Sequence, residues 1–577
     1  MRQALGARCV AAGWLGVVVL SAAACSAERP GPLERAATTE RDRSGTAEDG
    51  SQRGSDPSET AQTSEGVGSV CWSATPAAGD GIAFSDVTAQ VGLVEPLTGM
   101  HGHAAAVGDV DSDGWLDLFV GGFADRPVDD YRVRGASGPT PDRLLLGGPD
   151  GFSLDPTFRG QLARTSGAVF ADLTNDDRLE LVAVRNPRGD TEIGRRPTVI
   201  HQRTDTGWQV AATLLADVAG RAVAAVDIDR DGYLDLVVVA DRWGGGSTRI
   251  LRNLGGGSDA AGSLAFDDVT SEWGVPDDMT GLALATVDLD GDGWVDIVVS
   301  GDDRVLLGGP DGFRVERHDV LTWEAFGDED DAAGVAVGDL DRDGRPDLVV
   351  GQHFNSTLDF DERVPVRIFL NRSDDDGLQL VEVTDEAGSP GLWTKSPHVA
   401  VVDVDNDGWP DIITSATAAD GRPFVLRSTG PDAGGVPRFT PIGEPGDGRY
   451  WVTGGEMDID HDGRVDSFLV EWLPALESPA FANTGASGRW LHVDLGHTPG
   501  AAAGTRVEVS DPASGDRLAA AWVASTAGDA AGMAPIVRFG LGDGRNDVAV
   551  RVDVTPPSGP TETRTVPVNG FVAWAGC

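Results

Sequence analysis

The 577-residue sequence contains one lysine, Lys395, so nearly all of its 45 positive charges are arginine. That bias reads as genomic base composition rather than function. Against the 45 stand 92 acidic residues, for a net charge of −47. A surface so negative is repelled by nucleic acid and by anionic membranes, which excludes both as partners for the folded body. Catalytic signatures are also missing. There is no G-x-S-x-G, H-E-x-x-H, C-x-x-C or G-x-x-x-x-G-K, so the familiar hydrolase, zinc-protease, redox and phosphate-cradling motifs give no lead. No amphipathic stretch of helical-hairpin length occurs, which argues against a helical repeat.

Long apolar runs are confined to the N-terminus. Arg2 and Arg8 precede "CVAAGWLGVVVL" and then "SAAAC", the layout of a secretory leader over residues 1–25. Ala22, Ala23 and Ala24 run into Cys25, which resembles a bacterial lipoprotein signal with Cys25 as the lipidated residue. Ala22 departs from it, since a leucine is usual there. Plain secretion and a retained helix are the alternatives. Residues 26–70 are rich in Ser, Thr, Glu, Arg, Gly and Asp and, as a polar segment that cannot bury enough surface to offset its ordering entropy, read as a flexible tether. On this reading the protein is exported and sits at the cell surface or the outer face of a bacterial membrane, touching the membrane only through its anchor; otherwise it is secreted. Cys9 leaves with the leader and Cys25 is acylated, so Cys71 and Cys577 remain in an oxidising compartment and are expected to pair.

What the chain has in abundance is aspartate at fixed spacing. "GDVDSDGWLDLFVGG" at Gly108 is followed by "ADLTNDDRLELVAV", "VDIDRDGYLDLVVV", "VDLDGDGWVDIVVSG", "GDLDRDGRPDLVVGQ", "VDVDNDGWPDIITS" and "MDIDHDGRVDSFLVE". Intervals of 51 to 64 residues separate the seven copies, the mark of a solenoid, propeller or array. Each copy reads as strand, tight loop, strand, and further Val- and Leu-rich pieces bring the content to about four strands per period, that of a propeller blade. After six of the loops an outer strand is assignable: "FSLDPTF", "WQVAATLL", "AFDDVTSEW", "FRVERHDV", "LQLVEVTDE" and "RFTPIGE". After the seventh none is, whereas an unmatched "FSDVTAQVGL" precedes the first loop. Phe84–Thr88 is therefore expected to complete the last blade from the other end of the chain.

Numbering each loop from its first aspartate, positions 1, 3, 5 and 9 carry carboxylates and position 6 is glycine in six of seven copies. The candidate ligands are Asp109, Asp111, Asp113 and Asp117; Asp172, Asp176 and Glu180; Asp227, Asp229, Asp231 and Asp235; Asp288, Asp290, Asp292 and Asp296; Asp339, Asp341, Asp343 and Asp347; Asp403, Asp405, Asp407 and Asp411; and Asp458, Asp460, Asp462 and Asp466. Like charges this crowded are tolerable around a cation. Clustered oxygens without sulfur or histidine suit Ca²⁺, about six or seven ions, better than Mg²⁺ or Zn²⁺. An EF-hand is excluded, because position 12 is Val120, Val238 or Val299 instead of glutamate. In the second loop Thr174, Asp177 and Glu180 replace the usual residues, so weak binding or an empty loop is expected there.

A D-x-D-x-D-G-x-x-D loop between strands resembles the FG-GAP (VCBS) repeat of integrin α-subunit propellers and many bacterial surface proteins. The "F-x-D-V-T" pieces resemble more closely the cartilage acidic protein-like family, which carries a C-terminal ASPIC/UnbV domain. "RWLHVDLG", "GTRVEVSD", "VRFGLGDG" and "VRVDVTPPSGPTETRTV" match that domain in outline, although "VTPPSG" departs from its V-x-W-P-S-G element. The resemblance implies an all-β protein: a seven-bladed integrin-α-like β-propeller over residues 71–484 and a small β domain over 485–577. It implies no reaction.

Two side-chain groups remain. His101 and His103 alternate in a strand and so point the same way, toward a metal or substrate or merely at an exposed strand end. Trp115, Trp294 and Trp409 all stand at position 7, where they pack between blades or offer a sugar-stacking surface. Two functional readings stay open. One is a surface module binding a glycan, matrix or protein ligand; the other is a calcium-propeller enzyme on carbohydrate, of lyase or dehydratase type. The lack of catalytic signatures favours the first, with no catalytic residue assigned, whereas a deep pocket holding His, Arg or Tyr would favour the second.

Overall fold

The computed structural model describes residues 65–577 except 79–80, 133–134, 190, 256–263, 303, 323–331, 354–362, 375–376, 486, 497–502 and 544–547. The leader, Cys25 and the tether up to residue 64 lie outside the described residues. Among the described residues, strands build nine sheets and helix is limited to single turns. Among the described residues no helix is long and apolar enough to cross a membrane.

Seven of the sheets are built on a four-stranded antiparallel meander and follow one another along the chain; Pro445–Tyr450 adds a fifth strand to the sixth, and a hairpin from the C-terminal domain extends the first to six. Their first strands are Gly102–Gly108, Thr165–Ala171, Gly220–Val226, Leu284–Val287, Ala332–Gly338, Val399–Val402 and Thr453–Met457. Alanine and glycine fill several of them ("GHAAAVG", "GRAVAAV", "AAGVAVG"), as crowding of successive first strands demands. The second strands, such as Asp117–Gly122 and Asp235–Ala240, are buried along their whole length. Sheets covered on both faces read as continuous apolar runs rather than alternating ones, which explains "DLVVVA" and "DLFVGG". Apolar clusters lie between neighbouring sheets; one joins Val237 and Ile250 of the third to Ile297 and Leu306 of the fourth.

The ring closes by an exchange between chain ends. Phe84–Asp86 pairs antiparallel with Ala480–Asn483 and forms the outer strand of the seventh sheet. Thr88 Oγ1 accepts from the Ala480 amide at 3.0 Å, and the Val87 amide donates to the Ala480 carbonyl at 2.9 Å. Gly102–Gly108, in turn, lies against both Thr165–Ala171 and Thr453–Met457. Deleting residues 71–92 bares the backbone edge of Ala480–Asn483, an open template for aggregation. The truncated chain is expected to aggregate or to be cut rapidly in limited proteolysis, and the cleavage rate of the intact protein would refute the closure. A deletion confined to residues 26–60 should change little.

The remaining two sheets form a sandwich. One orders Glu65–Val67, Glu562–Pro567, Ala549–Thr555, Arg506–Ser510 and Arg517–Trp522; the other orders Trp72–Ser73, Gly570–Ala573, Arg489–Asp494 and Ile536–Gly542. Leu491, Val507, Phe539, Val552 and Trp574 pack between them. Two expectations change here. Residues 65–67 are a strand of the sandwich, not tether, because the exposed edge at Thr563–Thr565 pairs their backbone. Cys71 is bonded to Cys577, but it flanks the strand Trp72–Ser73 of this same domain instead of the propeller's entry strand.

The sandwich also sends a hairpin into the ring. Thr526–Ala527 and Ala531–Gly532 pair with each other, and the second runs parallel to Ala105–Ala106 of the first propeller strand. Small residues, "STAGDAAGMA", are what the space allows: a Cβ on Gly532 would lie 2.5 Å from the Ala168 carbonyl oxygen. At the hairpin's tip Asp529 is fully buried and accepts from Arg221 Nη2 at 3.0 Å.

Candidate metal centres and the opposite pocket

Each acidic loop joins the first strand of a sheet to the second, so all seven lie at one end of the ring. Three hydrogen bonds recur in every copy. The position-9 carboxylate accepts the amide of position 2 at 2.7 to 3.0 Å, from Val110 to Asp117 through Ile459 to Asp466. Position 1 accepts the amide of position 6 at 2.7 to 3.1 Å. Position 5 accepts the amide of position 7 at 2.8 to 3.1 Å. Backbone φ is positive at position 6, where glycine is expected, and also at position 4, where Ser112, Asn175, Arg230, Arg342, Asn406 and His461 take it up.

This wrapping gathers positions 1, 3 and 9. One carboxylate oxygen each from Asp109, Asp111 and Asp117 lie within 4.8 Å of one another, as do those of Asp227, Asp229 and Asp235; Asp288, Asp290 and Asp296; Asp339, Asp341 and Asp347; and Asp403, Asp405 and Asp411. The position-5 residues Asp113, Asp231, Asp292, Asp343 and Asp407 do not join these sets; their carboxylates cap the turn. Burial pushes the position-9 carboxyls up despite their amide donors: Asp117, Glu180 and Asp296 to about 8 and Asp235 to about 7. Asp227, Asp288 and Asp339 at position 1 rise to about 6, again chiefly through burial, with neighbouring carboxylates adding to it.

The donor set fits a hard cation. Asp111 Oδ1 and Asp405 Oδ1 are buried acceptors without a hydrogen-bond partner, which a hydrogen-bonding explanation of the loops leaves costly. Glu180 Oε1 in the degenerate second loop is in the same state. Arginine supplies part of the positive charge in several loops, most closely in the fifth and sixth, while Arg464 pairs with Asp462 in the seventh. Arg372 bonds Asp341 at 2.6 Å and Asp343 at 2.9 Å, and Arg427 bonds Asp405 at 2.6 Å and Asp407 at 2.8 Å. Asp405 Oδ1 remains unpartnered even so.

The tryptophans tie loop to loop. Trp294 lies under the guanidinium of Arg230 at 3.6 Å and Trp409 under that of Arg342 at 3.9 Å, so position 4 of one loop covers position 7 of the next. Trp115 stacks on His461 at 3.7 Å, which continues the rule across the junction of the first and seventh sheets, and Trp72 stacks on the other side of His461 at 4.3 Å. They are packing elements between blades. A second inter-blade tie escaped the sequence reading. Asn253, Asn371 and Asn483 donate through Nδ2 to the position-2 carbonyls of Leu173, Leu289 and Val404 in the preceding loops, at 2.8 Å each. Their signal is an asparagine closing a third strand in "LRN", "FLN" and "FAN".

His101 and His103 lie at the opposite end of the ring, both buried. His101 Nδ1 pairs with the Trp472 carbonyl at 2.9 Å and His103 Nδ1 with that of Ser166 at 3.2 Å. His103 borders a cavity of about 330 Å³ that also reaches His353 and Tyr450.

Comparison with known proteins follows the repeat. An FG-GAP-like repeat model matches residues 227–299 and an FG-GAP repeat model residues 332–364. Cartilage acidic protein 1 of Mus musculus is 26% identical over 497 residues, covering 80% of this chain and 72% of that protein. Its Homo sapiens counterpart is 26% identical over 80% of this chain and 70% of its own length. Integrin alpha-6 of Gallus gallus is 32% identical over 168 residues, 27% of this chain and 15% of the integrin.

Proposed function

Since the chain is an FG-GAP repeat protein of the cartilage acidic protein-like family, we propose that it is an exported, calcium-stabilised β-propeller that serves as a surface binding or adhesion module. The observation that carries the calcium reading is the convergence of positions 1, 3 and 9 around buried, unpartnered oxygens. Those three carboxylates would hold the ion in each of the five loops where they converge, and six to eight oxygen ligands at 2.3–2.6 Å are what calcium takes. Similarity to an integrin α-subunit supports an adhesion-type role, with a glycan, matrix component or protein as ligand. Acylation of Cys25 would place the module at a bacterial cell surface.

One observation favours the second reading, an enzyme acting on carbohydrate: His103, His353 and Tyr450 share one cavity, the arrangement a proton-transferring site needs. Glycan, matrix and protein arrays probed with the purified protein, with and without chelator, test the module, and metal analysis of the dialysed protein counts the ions. Chelator-sensitive binding with several calcium ions per chain supports it. A metal-free protein, or one that ignores every array ligand, refutes it; new unsaturated ends on a bound glycan would favour the enzyme.

A further inference from the structure

The cavity at the end of the ring away from the acidic loops has a lining unlike the rest of the molecule. Arg126, Arg164, Arg188, Arg221 and Lys395 all border it, and Asp241 is the one carboxylate among the described lining residues. In a chain with twice as many acidic as basic residues, five cations around about 330 Å³ is a local concentration of positive charge that includes the sole lysine, although Asp125, Asp529 and Asp130 stand against Arg164, Arg221 and Arg126. Low-dielectric walls focus such a field at a pocket mouth.

Two of these charges are held in place by other parts of the fold. Arg164 is buried, held at 2.9 Å by Asp125, with its guanidinium 4.0 Å from the centre of the Phe123 ring. Arg221 is also buried, and Asp529 at the tip of the inserted hairpin holds its Nη2 from below. Its Nε finds no partner within the protein. A buried guanidinium edge left without an acceptor is costly unless a ligand supplies one.

Aromatic rings complete the walls. Trp472 stands under Arg126 at 5.8 Å, Trp243 lies 5.5 Å from His353, and Tyr450 stands 5.8 Å from the Lys395 ammonium. Burial, with Arg221 and Lys395 nearby, holds His103 and His353 well below the ordinary histidine range, so they add polar rather than charged groups to the wall. Flat aromatic faces beside neutral polar groups and fixed cations match a ring that is apolar on its faces, hydroxylated at its edge and anionic at one substituent. Cavities of this size hold small ligands, about one or two sugar rings.

We propose that this pocket binds an acidic sugar, a carboxylate- or sulfate-bearing residue of a glycan, with its anion on the arginine–lysine cluster and its ring against Trp243 and Trp472. The inference rests on the binding-module reading and narrows its ligand class.

The test is calorimetric titration of the full mature chain with three oligosaccharides of equal length: a uronate oligomer, a sulfated oligomer and a neutral one. At least one anionic oligomer should bind, with the neutral one at least about tenfold weaker, as loss of a charge-assisted contact implies. The uronate and sulfate arms distinguish the two anion sources. Arg126→Gln and Lys395→Gln lie at the rim, and each should weaken anionic binding about tenfold while leaving the melting temperature unchanged. Equal affinity for the neutral oligomer, no binding of either anionic oligomer, or indifference to both rim variants would overturn the proposal. An array ligand that binds equally well to both variants would overturn the pocket assignment alone and leave the binding module standing; silence on every array refutes both.

Discussion

Removing calcium is expected to lower the melting temperature by about 10 °C or more at pH 8, and by less at pH 5.5. Five described sets of three converging carboxylates carry this expectation. An ion bound only by the folded state adds about 2.7 kcal/mol at a hundredfold excess over Kd, or on the order of 13 kcal/mol for five independent sites. Unfolding entropy of about 2.1 cal/mol/K per residue over roughly 500 residues converts this to about 12 °C. The pH dependence follows from the buried carboxyls. Asp117, Glu180 and Asp296 are pushed up to about 8 and Asp227, Asp288 and Asp339 to about 6, all above their unfolded values near 4. The folded chain therefore binds more protons than the unfolded one. Stability from this source is complete below about pH 4 and is lost as pH rises through 6 to 8. In chelator the protein should melt lower at pH 8 than at pH 5.5, and millimolar calcium should abolish or reverse that order by holding the carboxylates ionised. Superimposable melting curves in EDTA and calcium at pH 8 would end the argument.

The second large effect is expected from Asp529→Ala. Asp529 is fully buried, Arg221 is 5% exposed, and their 3.0 Å contact joins the sandwich's hairpin to the third sheet of the propeller. Truncating one member of a buried pair strands the other charge, at a cost of about 3–5 kcal/mol. Replacing both members by apolar groups of similar size is often nearly neutral. Asp529→Ala should lower the urea midpoint strongly, and the double variant Asp529→Leu with Arg221→Met should recover most of the loss. A single variant within about 1 kcal/mol of the parent would show that the pair adds little, as exposed pairs do.

The repeat was legible because its chemistry is periodic. Seven loops with fixed carboxylate positions announce both the sheets and the acidic clusters, and the unmatched Phe84 segment announced how the ring shuts. What was not legible depends on contacts between distant segments. Nothing local distinguishes Asp113, which caps a turn, from Asp111, whose oxygen joins the cluster; the difference is set by how the loop wraps. Positive φ at Ser112 or Arg342 carries no composition signal, since the loop's hydrogen bonds impose it. Residues 525–534 are small and aperiodic and carry no signal of their own within the C-terminal domain; pairing with the first propeller strand is what gives them their place. Five cations scattered from Arg126 to Lys395 become a pocket only because the ends of several sheets converge.

Closure of the ring through Phe84–Asp86 has a consequence for biogenesis. Ser85 and Thr484, neighbours in the finished sheet, are 399 positions apart. At a synthesis rate of about 5–20 residues per second, the first of them waits roughly 20–80 s for the second to be made. Cys71 waits longer still for Cys577, 506 positions away. The propeller strand that emerges first is thus among the last to be seated, and vectorial, sheet-by-sheet folding cannot finish the molecule. A chain that stops within the seventh sheet, before Asn483, leaves Phe84–Asp86 without its partner strand and the ring unsealed, with bare edges open to pairing with other chains.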